Sequence, residues 1–167
     1  MKKRLFALFA APALLALAGC TTYQVNEQFV HPVPSDRVFQ HQDPVPDEAI
    51  IEVTRVQNFA GGGCYFSFLI NDQLAARLDT DERAVFHVPA GTYKLQVAYD
   101  WMGRGLCSCS EKRARSHGQI RWVTSKAGRS YDFRIGFNGW GGVMRLYTDE
   151  VGRPISKDSG EAKQKAL

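Results

Sequence analysis

The 167-residue sequence predicts an all-β fold, an antiparallel β-sandwich of seven or eight short strands. Three observations carry that expectation. From residue 48 onward apolar side chains recur at every second position, which is how a strand buries one face and wets the other. Turn-forming residues interrupt the alternation at roughly ten-residue intervals, the spacing of a sandwich or barrel. No stretch beyond residue 48 keeps a 3.6-residue period over the length of a stable helix, and Leu74–Leu78 is too short to stand as one.

In chain order, Ile51 and Val53 alternate with Glu52 and Thr54 in the first core strand. Cys64, Phe66, Phe68 and Ile70 share one face of the second. Asn71-Asp72 ends it, since both residues tolerate the left-handed backbone of a tight turn. Leu74, Ala76 and Leu78 follow on a strand that stops at Asp79-Thr80-Asp81-Glu82. Ala84, Phe86 and Val88 oppose Val85 and His87. Pro89-Ala90-Gly91 is expected to close a hairpin into Tyr93, Leu95, Val97 and Tyr99, set against Lys94, Gln96 and Asp100. After an irregular stretch come Ile120–Ser125, a turn at Ala127-Gly128-Arg129, and Tyr131, Phe133, Ile135 and Phe137, with Asp132 and Arg134 facing out. Asn138–Gly142 leads to a last strand, Val143–Thr148. A core of about 100 residues buries roughly 60–70% of its unfolded surface.

The N-terminus carries a different pattern. Lys2-Lys3-Arg4 precede Leu5–Ala18, fourteen residues that are apolar apart from Pro12. That is the basic-then-apolar order of a secretion signal, and short of the roughly 20 residues that span a bilayer. It ends in Leu17-Ala18-Gly19-Cys20, which resembles the lipobox of bacterial lipoproteins. The resemblance implies cleavage before Cys20, diacylation of its thiol and acylation of the new amino group. Each buried CH₂ of an acyl chain contributes about 0.8 kcal/mol, so two or three chains anchor a protein stably. Thr21, rather than Asp, follows the cysteine, and by the same resemblance this implies sorting to the outer membrane.

Four of the seven prolines (Pro32, Pro34, Pro44 and Pro46) fall between Thr21 and Asp47, without a sustained period of 2 or 3.6. Such a segment is expected to be an extended, semi-rigid tether, with room for a short strand at Tyr23–Val30. The expected layout is a signal peptide over 1–19, Cys20 and a Pro-rich tether over 20–47, a β-sandwich over 48–150, and a flexible polar tail over 151–167.

The run Val88-Pro-Ala-Gly-Thr-Tyr-Lys-Leu-Gln-Val97, followed by Lys126-Ala-Gly-Arg-Ser-Tyr-Asp-Phe133, resembles a group of small bacterial lipoproteins of unknown function. These are similar in turn to PEGA-type β-sandwich modules. The resemblance covers Ile50 to Arg134 and implies a fold and a cell-surface setting; no catalytic residues come with it.

Composition excludes several classes. With 44% apolar and 11% aromatic residues the chain is neither collagen, coiled coil nor a disordered polymer. The formal charge of +4 includes Lys2, Lys3 and Arg4; from residue 20 onward 18 basic side chains face 17 acidic ones, which does not point to nucleic acid. Charge does segregate along the chain. Residues 43–82 hold eight acids and two bases, and residues 104–134 hold eight bases and two acids. Behind an export signal the basic run, with Arg113, Arg115 and Arg121 as its binding candidates, suits an anionic envelope polymer or an acidic protein face. The competing explanation is that the acidic and basic strands neutralise each other.

Cys64, Cys107 and Cys109 remain in the mature domain, and an oxidising compartment does not leave all three as free thiols. A bridge from Cys64 to one of the Cys107/Cys109 pair closes about 45 residues and stabilises by a few kcal/mol. The rivals are a Cys-x-Cys redox pair and a metal site from Cys107, Cys109 and His117, though C-x-C-x7-H matches no closed zinc spacing. Gly61-Gly62-Gly63 lacks the Gly-Lys-Ser/Thr of a phosphate loop and reads as a flexible connection. Trp140, between glycines at a loop tip, is a contact candidate or a lid on the core. His31, His41, His87 and His117 are scattered, and no Gly-x-Ser-x-Gly occurs. Asp79, Asp81 and Glu82 crowd a turn, which turn chemistry and solubility explain, with weak Ca²⁺ binding as the rival.

The expectation is therefore a non-enzymatic outer-membrane lipoprotein, without cofactor or nucleic-acid partner, whose sandwich binds an envelope protein or anionic polymer. The alternatives are a thiol-redox or metal-binding factor using Cys107 and Cys109, and a structural subunit of an envelope assembly.

Overall fold

The computed structural model describes residues 25–57, 63–103, 109–138, 143–148 and 153–155. Its strands are β1 (His31–Pro32), β2 (Glu48–Arg55), β3 (Phe66–Ile70), β4 (Gln73–Leu78), β5 (Glu82–Pro89), β6 (Gly91–Tyr99), β7 (Gln119–Ser125), β8 (Arg129–Asn138), β9 (Val143–Thr148) and β10 (Arg153–Pro154). A 3₁₀ turn covers Ser35–Arg37 and one helix, α1, covers Glu111–Ser116. The expected eight strands are β2 to β9. One sheet runs β1-β5-β2-β8-β10 with β9 also on β8, and the other runs β4-β3-β6-β7. Most ladders are antiparallel, but β2–β8 and β1–β5 are parallel.

The inward faces form one core. Ile51 and Val53 of β2, Phe86 and Val88 of β5, and Phe133 and Ile135 of β8 meet Phe66, Phe68 and Ile70 of β3 and Leu95 and Val97 of β6. Phe68 stacks on Phe86 from the opposite sheet, with centroids 5.5 Å apart. The Asn71-Asp72 turn has positive φ at both residues (50° and 65°), the mirror-image turn that joins a two-residue hairpin to right-twisted strands.

Three sequence expectations change. Pro89-Ala90-Gly91 does not close a hairpin: β5 and β6 lie in different sheets, so the segment carries the chain across the sandwich. The Tyr93 hydroxyl pins this crossing by donating to the Pro89 carbonyl at 2.7 Å. A helix is present where none was expected. It has a single buried residue, Ala114, hence no apolar stripe to announce it. Its order comes from Ser110, whose Oγ caps the Arg113 N–H, and from docking on β6, where Gln96 Nε2 donates to the Arg115 carbonyl at 3.0 Å. Gly118 permits that approach, since a Cβ there would sit 2.3 Å from the Val97 carbonyl oxygen. In the middle of this sheet β3 is buried on both faces.

The third change concerns the tether. Residues 31–42 pack along one side of the sandwich as a strap. The His31 and Val33 amides donate to the Asp81 and Arg83 carbonyls at the start of β5. Val38 then bridges to Ala76 and the Phe39 amide donates to Ala75, both in β4. The His41 carbonyl returns to accept from the His87 amide in β5. Prolines suit this path because an edge segment needs amides on one side only. The strap therefore covers the outer edges of both sheets at β4 and β5. Tyr23 and Gln24 lie outside the described residues, and the rest of the expected strand at Tyr23–Val30 is a turn over Glu27–Phe29.

Phe86→Ala should lower stability by about 3–5 kcal/mol through lost transfer energy and an unfilled cavity, whereas Trp122→Ala on the outer face should change it by less than about 0.5 kcal/mol. Urea titration separates the two, and comparable losses would contradict the assignment of Phe86 to the core and Trp122 to the surface.

Candidate functional site

Two places gather polar or exposed aromatic chemistry. The first lies where the strap crosses the start of β5. Glu82 is 3% exposed. Arg37 of the strap meets its carboxylate with both terminal nitrogens, Nη1 to Oε2 at 2.7 Å and Nη2 to Oε1, and the Asp79 amide adds a third bond to Oε2 at 2.6 Å. Next to it Asp100, 1% exposed, accepts Arg77 Nε at 2.9 Å and Nη2 at 2.6 Å, with Ser67 Oγ at 3.2 Å. The Tyr65 ring lies beneath both guanidinium groups, 4.5 Å from that of Arg37 and 4.9 Å from that of Arg77. The hydrogen bonds to Glu82 and Asp100 hold Arg37 and Arg77 above the usual arginine range.

Arg55 is buried at the inner end of β2, 3.9 Å over the Phe66 ring, and donates to the carbonyls of Leu78, at 3.0 Å, and Cys64. Burial pushes its pKa down to about 10, against the opposing pull of Asp79, Glu82 and Asp81. No buried side-chain nitrogen or oxygen among the described residues lacks a partner. The cluster is thus closed: its donors and acceptors are spent on one another, and it works as a clamp on the strap. Asp79 and Glu82, expected as solvated turn residues, belong to it. Asp100, expected to face out, also belongs to it, because Arg77 and Ser67 engage its carboxylate.

The second place is the opposite side of the sandwich. Here β7 ends one sheet, and nothing among the described residues pairs with its outer edge. Its solvent face presents Ile120, 48% exposed, and Trp122, 66% exposed. A cleft of about 220 Å³ opens beside it, between Arg121–Thr124 of β7 and Tyr131, Phe133 and Thr148. Residues Lys112 and Arg113 of α1 stand before β7 and Lys126 after it, all three exposed.

The residues singled out from sequence distribute as follows. Arg113 and Arg115 sit together on α1, but Arg115 is committed: it pairs with Glu111 at 2.6 Å, donates to the Asp72 carbonyl at 3.0 Å and lies 5.1 Å over Trp101. Arg121 points to the other side of its sheet, where it lines the cleft and makes contacts of its own. The three arginines therefore do not form one patch. Cys64, half-buried just before β3, is disulfide-bonded. Cys109, half-buried one residue before the Ser110 cap, is a free cysteine. Cys20, Cys107 and Trp140 lie outside the described residues. His117 turns its ring onto the end of α1, with Nδ1 2.9 Å from the Arg113 carbonyl. Among the described residues no three His, Cys, Asp or Glu side chains are grouped to hold a metal. Trp122 lies within the 104–134 basic run and is not among the candidates read from the sequence; its alternation with Arg121 and Val123 is the available sign that it faces outward.

Removing one partner of the buried pair, by Glu82→Leu or Arg37→Met alone, should cost about 3–5 kcal/mol, and the double replacement should recover most of that loss. A double-mutant cycle in urea measures the coupling, and additive losses would show that the strap is not clamped through this pair. No family model and no curated protein matches the chain.

Proposed function

We propose that this chain is a non-enzymatic lipoprotein of the outer membrane, acylated at Cys20, whose sandwich binds a protein or polymer of the cell envelope. The observation that carries the binding reading is the asymmetry of the sandwich. The strap seals the β4 and β5 edges, while the β7 side keeps a strand edge that no described residue pairs with, a cleft and an exposed tryptophan. Exposed strand edges are normally blunted, so an edge left open beside an aromatic residue is best explained by use. The lipid anchor is supported by the run from Lys2 to Cys20.

The strap also bears on how the domain is presented. Only residues 21–30 separate Cys20 from His31, the first described residue bonded to the sandwich through its main chain, a reach of at most about 40 Å. The anchor thus attaches on the sealed side and β7 lies on the far one. For the cysteines we propose a Cys64–Cys107 bridge, supported by a bonded Cys64 and a free Cys109. A single thiol at Cys109 does not make the dithiol that the redox alternative requires.

Metabolic labelling with a palmitate analogue should mark the full chain and not Cys20→Ser, with the label recovered in outer-membrane fractions; an unlabelled full chain would overturn the lipoprotein reading. On the soluble chain from residue 20 carrying Cys20→Ser, alkylation should add one label before reduction and three after it. Three labels without reduction would remove the bridge and restore the thiol-based alternative.

A further inference from the structure

We infer that the β7 edge takes an extended polypeptide with acidic ends, which joins the sheet as a fifth strand beyond β7. The inference rests on the binding reading above and narrows it to one class of partner. Three features of the surface point the same way. An open strand edge offers amides and carbonyls at a regular repeat, and only another polypeptide matches that repeat. Ile120 and Trp122 stand two residues apart on the outer face, so an added strand places alternate apolar side chains beside them. Exposed Lys126 follows the strand directly, and exposed Lys112 and Arg113 precede it in the chain on α1.

Two acids of this surface are already engaged. Glu111 holds Arg115, and Asp72 holds Lys94, the residue opposite Trp122 on β6. The surplus positive charge therefore selects an incoming strand with acids at its two ends. The same arrangement disfavours a second copy of this chain. Antiparallel pairing of β7 with another β7 would bring Lys112 and Arg113 of each copy up to Lys126 of the other. A polysaccharide or a lipopolysaccharide phosphate satisfies the cations but not the ladder.

The test uses the full chain purified in detergent. The probe is a synthetic peptide of alternating valine and threonine, flanked by glutamates at each end. Fluorescence anisotropy of the labelled peptide should report binding that weakens with salt. Trp122→Ala should weaken it roughly tenfold, and Trp122→Tyr should restore most of the loss. Arg113→Glu with Lys126→Glu should weaken it while flattening the salt dependence. N-methylation of every second peptide amide, in either phase, should abolish binding in the phase that faces β7.

Equal binding of both N-methylated peptides would overturn strand addition. Trp122-dependent retention of lipopolysaccharide with no peptide binding would replace the partner class while leaving envelope binding intact. A Trp122-dependent dimer in sedimentation would identify a second copy as the occupant. Loss of palmitate labelling alongside normal peptide binding would remove the lipoprotein reading and leave the strand-addition site standing.

Discussion

A carboxylate buried at the start of β5 constrains much of the rest of this molecule. Glu82 has lost its water, and a desolvated charge is tolerated only with a close opposite charge and filled hydrogen-bonding positions. The core supplies the Asp79 amide, but the compensating guanidinium comes from Arg37, outside the sandwich proper. The N-terminal segment must therefore lie against the domain before β5 can begin where it does. Once there, it also contributes Val33 to the core and main-chain hydrogen bonds to β4 and β5. A stretch that reads as a spacer has become a structural part.

This placement gives the sandwich two unlike sides. Along β4 and β5 the strap satisfies backbone groups that would otherwise attract foreign strands. Along β7 no described residue does so, and the solvent face there carries aromatic and aliphatic surface instead of the lysines that usually guard an edge. Exposed cations precede and follow β7 in the chain, Lys112 and Arg113 on α1 and Lys126 directly after the strand. The arginines most prominent in the sequence contribute less than their number suggests, because Arg115 is spent on Glu111, Asp72 and Trp101.

The buried ionic groups illustrate how one environment can move similar side chains in opposite directions. Arg37 and Arg77 each face a carboxylate squarely, and the hydrogen bonds outweigh the cost of burial. Arg55 sits deeper, over the Phe66 ring, with Asp79 only at 3.8 Å, and there burial dominates. Its two backbone acceptors and the aromatic face are what allow a guanidinium to remain in the core.

The sequence by itself determined the eight main strands, the apolar faces of β2, β3, β5, β6 and β8, and the Asn71-Asp72 turn, because a period of two and turn chemistry are local properties of a few neighbouring residues. It could not say which strands pair. Whether Pro89-Ala90-Gly91 folds back or crosses to the other sheet depends on ladders formed by residues far away in the chain. The helix at Glu111–Ser116 was invisible for a related reason: a single docked alanine and a capping serine leave no periodic trace. Glu82 and Asp100 look like surface acids until Arg37 and Arg77 are brought to them across intervals of 45 and 23 residues. That no described residue pairs with the outer edge of β7 belongs wholly to the tertiary structure, since an edge is defined by its neighbours and only the assembled sheets decide them.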